Sequence, residues 1–396
     1  MKRFAFRGRN LCFVAAVLVF LLAVPLATWL LPNENISGIE NRSLATVPVL
    51  EKETLVSGEY FSAWEDYFKD HIVARDAMIL TNTRIQLYLL DRVEVNGIIP
   101  TKDVLLPVVA QPTVGKDYVS QAESMGERLS LLNDVTKSYG GTFLYVGVPT
   151  QMTAYADEFP LGTFSGNADR AEKVAAFAAA LEKRDLTFLN MADVFEQNGG
   201  IKQYYMRTDH HYSLKGAYVT YRSVCDYLQT VGYEIPVLSE SDFNFTALDK
   251  RFWGSRNRAI YYLSDLDDPA YIAEPTTPIA FTRQNNGTEV AANVFQLPAA
   301  TDPNVTYALY MGGDIAETVI RTNRENLPNV LIFGDSYTNA LETLLYTSFN
   351  EMRSLDLRHY NKMTICEYIE LYKPDIVICL RDDNSLLAAG GNGDIR

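Results

Sequence analysis

Histidine is nearly missing from this chain, with 4 in 396 residues, and two of them stand side by side at positions 210 and 211. Imidazole chemistry, whether a general base or a zinc site, therefore has few places to be. Cysteine is as scarce: Cys12 falls in an apolar run, and Cys225, Cys366 and Cys379 are an odd remainder at uninformative spacing, each in an apolar stretch. That pattern excludes a disulfide framework and a cysteine-built zinc site, and it reads as small buried hydrophobes, with a Cys366–Cys379 pair left open. Basic residues are outnumbered, 35 against 49 acidic, for a net charge of −14, and no basic stripe interleaved with aromatics occurs. A body this acidic repels phosphate backbones, so nucleic acid is excluded as a partner.

Charge is absent altogether from Leu11 to Leu31. At a helical rise of about 1.5 Å per residue this run is long enough to cross a bilayer. Lys2, Arg3, Arg7 and Arg9 precede it, and Glu34, Asn35 and Glu40 follow it. The positive-inside rule then puts residues 1–10 in the cytoplasm, makes 11–31 a signal anchor, and leaves a single-pass membrane protein whose C-terminal body is extracytoplasmic. A cleaved signal peptide is the alternative. Its apolar core is shorter, about 7–15 residues, and ends in small residues, which Ala27-Thr28-Trp29 does not supply.

What remains is rich enough in apolar residues, 47% of the whole chain, to bury a large core. Residues 32–99 read as a juxtamembrane and helical segment, because Tyr60, Trp64 and Phe68, then Met78, Ile85 and Leu89, recur at helical spacing. From about residue 100 strands and helices alternate. Helices are expected over 119–135, 170–183, 337–346 and 365–371, and strands over 142–148, 187–191, 329–333, 354–357 and 375–380. Such alternation predicts an α/β domain over 100–396 with a mainly parallel sheet flanked by helices. Between about 233 and 326 it gives way to sequence rich in Pro, Asn, Thr and Asp, including Phe252-Trp253-Gly254-Ser255 and an acidic run at 265–268. This is read as an inserted irregular or β region packing over the sheet edge that carries the site.

The strand 329–333 ends in Gly334-Asp335-Ser336 and runs straight into a helix. A serine there sits at the carboxyl end of a strand, where open α/β sheets place their sites, and at a helix N-terminus able to steady an oxyanion. Serine needs a base within reach, itself oriented by a third group. Thr208-Asp209-His210-His211-Tyr212-Ser213 offers both, because residues two apart in an extended segment share a side, so Asp209 can hold His211 while His210 points away. Each piece alone also fits a turn or a helix cap. A metal on the two histidines is the competing reading, and it lacks a third histidine nearby and an H-E-x-x-H helix; no metal and no cofactor are expected.

The stretch from Thr208 to Tyr218, TDHHYSLKGAY, resembles the signature of the DHHW protein family, with Tyr212 standing where that family has tryptophan. That family is similar to the SGNH-hydrolase-like alginate O-acetyltransferases of the AlgJ and AlgX type. Glu40-Asn-Arg-Ser-Leu44, Val148-Pro-Thr-Gln151, Tyr204-Tyr205, Gly334-Asp-Ser336 and Leu355-Asp-Leu-Arg358 agree in order. The resemblance implies an SGNH-hydrolase-like fold with permuted motif order, since the Asp-x-His block precedes the serine block, and it maps the triad onto Ser336, His211 and Asp209. The glycine and asparagine blocks that complete the oxyanion hole are not identifiable; Asn384 is the candidate for an extra donor and His210 for a supporting neighbour. Asp335 and Arg358 are read as capping or pairing residues.

The resemblance further implies an O-acyl or acetyltransferase acting on an extracytoplasmic polysaccharide or cell-wall glycan through an acyl-serine. With one span the chain cannot carry an acyl donor across a bilayer, so a multispanning membrane O-acyltransferase is implied as the supplier of acetyl groups. A carbohydrate acetylesterase with the same triad, and a non-catalytic glycan-binding or export scaffold, are the alternatives.

Overall fold

The computed structural model describes residues 2–30, 34–40, 42–111, 116–390 and 395, so Leu31 at the end of the expected span and Asn41 of the Glu40–Leu44 motif lie outside the described residues. Its contacts divide the chain into two units, Met1–Asn96 with Arg258–Leu263, and Gly97–Asn257 with Ser264–Arg396.

The first unit begins with helix α1, Lys2–Leu30, whose stretch Leu11–Leu30 is apolar and long enough to span a membrane. Its side chains are not packed inward: Leu22 and Trp29 are 72% and 80% exposed. An apolar stretch such as Leu11–Leu30 that buries almost nothing is no core helix, and it is compatible with a single-pass anchor or a signal sequence. Beyond it, α2 (Glu59–His71) and α3 (Arg75–Arg84) follow the expected helical patterns. The run carrying Ile85 and Leu89 widens into a π-helical turn, Ile85–Leu89. Arg42 forks onto Asp70 at 2.8 and 2.5 Å, and Arg75 bonds Glu40 at 2.6 Å, so the charged residues around Glu40–Leu44 serve an ion network within this unit.

The second unit is an α/β domain. In chain order it contains α4 (Tyr118–Ser138), β1 (Thr142–Val148), α5 (Asn167–Glu182), β2 (Phe188–Asn190) and α6 (Leu214–Thr230). Then come β3 (Thr282–Asn285), β4 (Thr288–Val290), β5 (Glu317–Arg321), β6 (Val330–Gly334), α7 (Tyr337–Leu345), β7 (Glu351–Asp356), α8 (Ile365–Tyr372) and β8 (Ile376–Asp382). One eight-stranded sheet has the order β4-β3-β5-β7-β6-β8-β1-β2. The five strands from β7 to β2 run parallel, whereas β5, β3 and β4 pair antiparallel. The inserted region therefore does more than cover an edge. Three of its strands continue the central sheet, which nothing in their polar sequences announced.

The period of two along β8 sorts its side chains between the faces. Ile376, Ile378 and Leu380 join one buried cluster with Leu214, Tyr221 and Leu341, while Val377 and Cys379 join the other with Leu129, Phe177 and Tyr368. Helices α6 and α7 thus cover one face, and α4, α5 and α8 the other. Every residue of α7 is buried. All four cysteines are free, so the pair left open by the sequence is not formed.

At the carboxyl end of β8, Asp382 accepts from the N–H groups of Asn384 and Ser385 at 2.7 and 3.1 Å. Burial first, then the charges of Asp335 and Asp383, push its pKa up to about 7. A raised carboxyl contributes stability that is present below the unfolded pKa, near 3.8, and is lost as pH rises through the folded value. Asp382→Asn should therefore gain melting temperature relative to the parent between pH 4 and pH 8. The full effect is at most about 4 kcal/mol, and less because Asp382 keeps some contact with solvent. A gap between the two melting curves that stays constant with pH would refute this.

Candidate active site

The Gly-Asp-Ser corner divides its work among three residues. A Cβ on Gly334 would lie 2.0 Å from the carbonyl oxygen of Leu380 on β8, so only glycine lets the two strands close up here. Asp335 takes the helix-capping task, its carboxylate accepting from the N–H of Tyr337 at 2.9 Å. Ser336, at the N-cap position of α7, makes no side-chain cap and keeps its hydroxyl free for another partner.

That partner is His211. Its Nε2 lies 2.8 Å from Ser336 Oγ, and its Nδ1 lies 2.6 Å from Asp209 Oδ1. With Nδ1–H donating to the carboxylate, Nε2 is left to accept the serine proton. All three residues are buried, Ser336 with 8% exposure. Burial pushes the Asp209 carboxyl upward, but the charge of His211 and its hydrogen bond outweigh this and hold it well below the usual carboxylate range.

The segment is not extended, as the sequence reading had it. Residues 207–211 form a loop pinched by a bridge between Tyr205 and Tyr212. Asp209 Oδ1 also accepts the backbone N–H of His211 at 3.0 Å, an Asx turn that brings carboxylate and imidazole together. His210 differs from expectation too. Its ring lies against that of His211, with centroids 3.7 Å apart, and its Nδ1 is 2.7 Å from Ser255 Oγ. Burial, then the charge of His211, push its pKa down to about 3, so the ring is neutral near pH 7. Asn384 is exposed in the turn after β8; its N–H bonds Asp382, and among the described residues no hydrogen bond joins it to Ser336, His211 or Asp209. Arg358 pairs with Asp356 and Asp314 at 2.6 and 2.9 Å.

Sequence reasoning missed what holds the loop. Asp268, from the acidic run, accepts the N–H groups of Arg207 and Thr208 at 2.8 and 2.7 Å. Ser255 donates its N–H to Asp209 Oδ2 at 2.6 Å, and the N–H groups of Arg256 and Asn257 bond the Thr208 carbonyl at 3.0 and 3.2 Å. Tyr307 stacks on the His211 ring at 3.6 Å with a 4° interplanar angle. Gly254 permits the clamp to approach: a Cβ there would lie 2.2 Å from Thr208 O. Gly254→Ala should push the clamp off Asp209 and lower any activity of the site by about 10–100-fold, with a stability loss of about 1–3 kcal/mol. Turnover and melting temperature of the variant at parental levels would contradict the clamp.

Among the described residues two groups of side chains are close enough to share a metal, Asp209 with His210 and His211, and Asp314 with Asp356 and His359. In the first, Asp209 and the Nδ1 of His211 are committed to each other. In the second, the guanidinium of Arg358 already supplies the positive charge.

Residues 114–264 match the family model described as "SGNH hydrolase-like domain, acetyltransferase AlgX", a span that contains Asp209 and His211 and ends before Ser336. No curated protein matches the chain in sequence. Among solved structures it is similar to Bacillus cereus PatB1 with a sulfonyl adduct, at 23% identity and TM-score 0.61, covering 73% of this chain and 95% of that one. It is likewise similar to a DHHW family protein from Eubacterium siraeum, at 20% identity and TM-score 0.59, covering 76% of this chain and 95% of that one. The chain thus has the SGNH-hydrolase-like α/β fold and the DHHW-type resemblance read from its sequence.

Proposed function

We propose that this chain is an O-acetyltransferase that loads an acetyl group on Ser336 and passes it to a hydroxyl of an extracytoplasmic glycan, with His211 as general base and acid and Asp209 as its orienting partner. The single observation that carries the reading is the unbroken relay from Asp209 through His211 to Ser336, 2.6 and 2.8 Å long. The acetyltransferase description of the matching family supports the choice of acyl group and reaction.

In the first half-reaction Ser336 Oγ attacks the acetyl carbonyl while its proton passes to His211 Nε2. The tetrahedral oxyanion develops at the N-terminal end of α7, where the backbone dipole and the N–H of Ser336 stabilise it. The leaving group takes the proton from His211 and departs, leaving acetyl-serine. In the second half-reaction a glycan hydroxyl gives its proton to the same Nε2 and attacks the acetyl carbon. Ser336 Oγ then leaves as it regains the proton. The neutral His210 ring does not compete for protons near pH 7.

The acetyl donor reaches Ser336 from a multispanning membrane O-acyltransferase, because the one helix of spanning length among the described residues cannot carry it across, and α1 tethers the body outside the cytoplasm. Protease added to spheroplasts should digest the second unit; protection from it would refute that topology. The reaction is tested by supplying an activated acetyl ester with and without a soluble oligosaccharide. Faster turnover with acetylated sugar as product is expected, and free acetate as sole product would make the protein an esterase.

A further inference from the structure

One cation beside the proposed catalytic residues, Arg256, makes no ion pair among the described residues. Arg256 directly follows Ser255, the residue that clamps Asp209 and His210, and its own N–H is bonded to Thr208 O at 3.0 Å. Its Nε donates to Gln151 Oε1 at 3.3 Å. Gln151 is itself fixed, fully buried, with its amide nitrogen 3.0 Å from the carbonyl of Met206 and 3.3 Å from that of Arg207. The guanidinium is therefore aimed by a neutral side chain, and among the described residues no carboxylate lies within ion-pair distance of it. The contrast with Arg358, held between Asp356 and Asp314, is direct. Burial lowers the Arg256 pKa, and smaller contributions from Tyr337 and Asp209 oppose it. A half-buried guanidinium without a direct ion-pair partner is costly, and its planar fork of donors matches carboxylate or phosphate.

The side of the site on which Arg256 lies decides what it meets. In the second half-reaction the acceptor hydroxyl must reach His211 Nε2, so the acceptor enters beside the histidine pair, where residues 254–256 run. The net charge of −14 disfavours an anionic glycan in general, so binding one requires a local cation at this point.

Building on the transferase reading, we propose that Arg256 is a specificity-determining residue that binds a carboxylate or phosphate on the acceptor sugar, close to the hydroxyl that takes the acetyl group. The acceptor is thereby an anionic glycan. Its hydroxyl proton goes to His211 Nε2, its oxygen forms the new ester bond to the acetyl carbon, and Ser336 Oγ leaves with that proton.

The full-length chain in detergent, with an activated acetyl ester as donor, is offered methyl glucoside, methyl glucuronoside or glucose 6-phosphate. Wild type should acetylate an anionic sugar with kcat/KM about 10–100-fold above the neutral one, the scale of a charge-assisted hydrogen bond. The better of the two anionic sugars identifies the anion. In Arg256→Gln this ratio should fall to near one, and Arg256→Lys should recover part of it. Because a ratio is read, a smaller folded fraction of either variant does not alter it. A ratio near one in wild type, or equal losses for charged and neutral sugars in Arg256→Gln, overturns the proposal alone. Release of acetate with no acetylated sugar from any acceptor overturns the transferase reading and this proposal with it.

Discussion

Ser336→Ala is expected to lower turnover of an activated acetyl ester by about 10⁴-fold or more, leaving only what binding and the polarising helix terminus supply. The loss should not come from unfolding. Ser336 makes no helix cap, because Asp335 performs that task, so deleting one hydroxyl costs at most about 1–2 kcal/mol of stability. The variant should therefore keep its circular dichroism and its cooperative melt. Substantial activity in a folded Ser336→Ala protein would remove the serine from the reaction.

His211→Ala and His210→Ala form the second expected contrast. Without His211 no group accepts the proton from Ser336 Oγ, and the rate should fall by about 10²–10⁴. His210 touches the same ring and bonds Ser255, but it makes no hydrogen bond to Ser336 among the described residues. Its removal should loosen the clamp and cost clearly less, about 10-fold. Paired kcat/KM values for the two variants decide the matter; a larger loss in His210→Ala would assign the base to the wrong imidazole.

The parts of this architecture that were legible in the sequence are those encoded locally. The parallel core strands announce themselves as short apolar runs: β1 occupies the expected Thr142–Val148, and β6 is displaced by one residue. Ser336 is readable because a buried strand, a glycine and a helix start coincide within a few residues, and His211 because imidazole is so scarce. What stayed hidden depends on contacts remote in sequence. Ser255 meets Asp209 across 46 residues, and Tyr307, one tyrosine among 24, carries no local mark of its stacking on His211. The antiparallel strands β3, β4 and β5 escaped for a different reason. Their side chains are largely polar or exposed, so the period of two that reveals a half-buried strand is weak. The extended backbone expected at Asp209–His211 failed because an Asx turn gives the same two side chains a shared direction without a strand.

The central claim is that Ser336 carries the acetyl group. The most direct measurement is mass spectrometry of the full-length protein quenched early in its reaction with an activated acetyl ester, followed by peptide mapping. The expected result is one acetyl group per chain, held as an ester on Ser336 in the peptide containing Gly334-Asp335-Ser336, appearing with a stoichiometric burst of leaving group and discharged on addition of an acceptor glycan. Turnover with no covalent acetyl on any serine, or with the label on a residue other than Ser336, would contradict it.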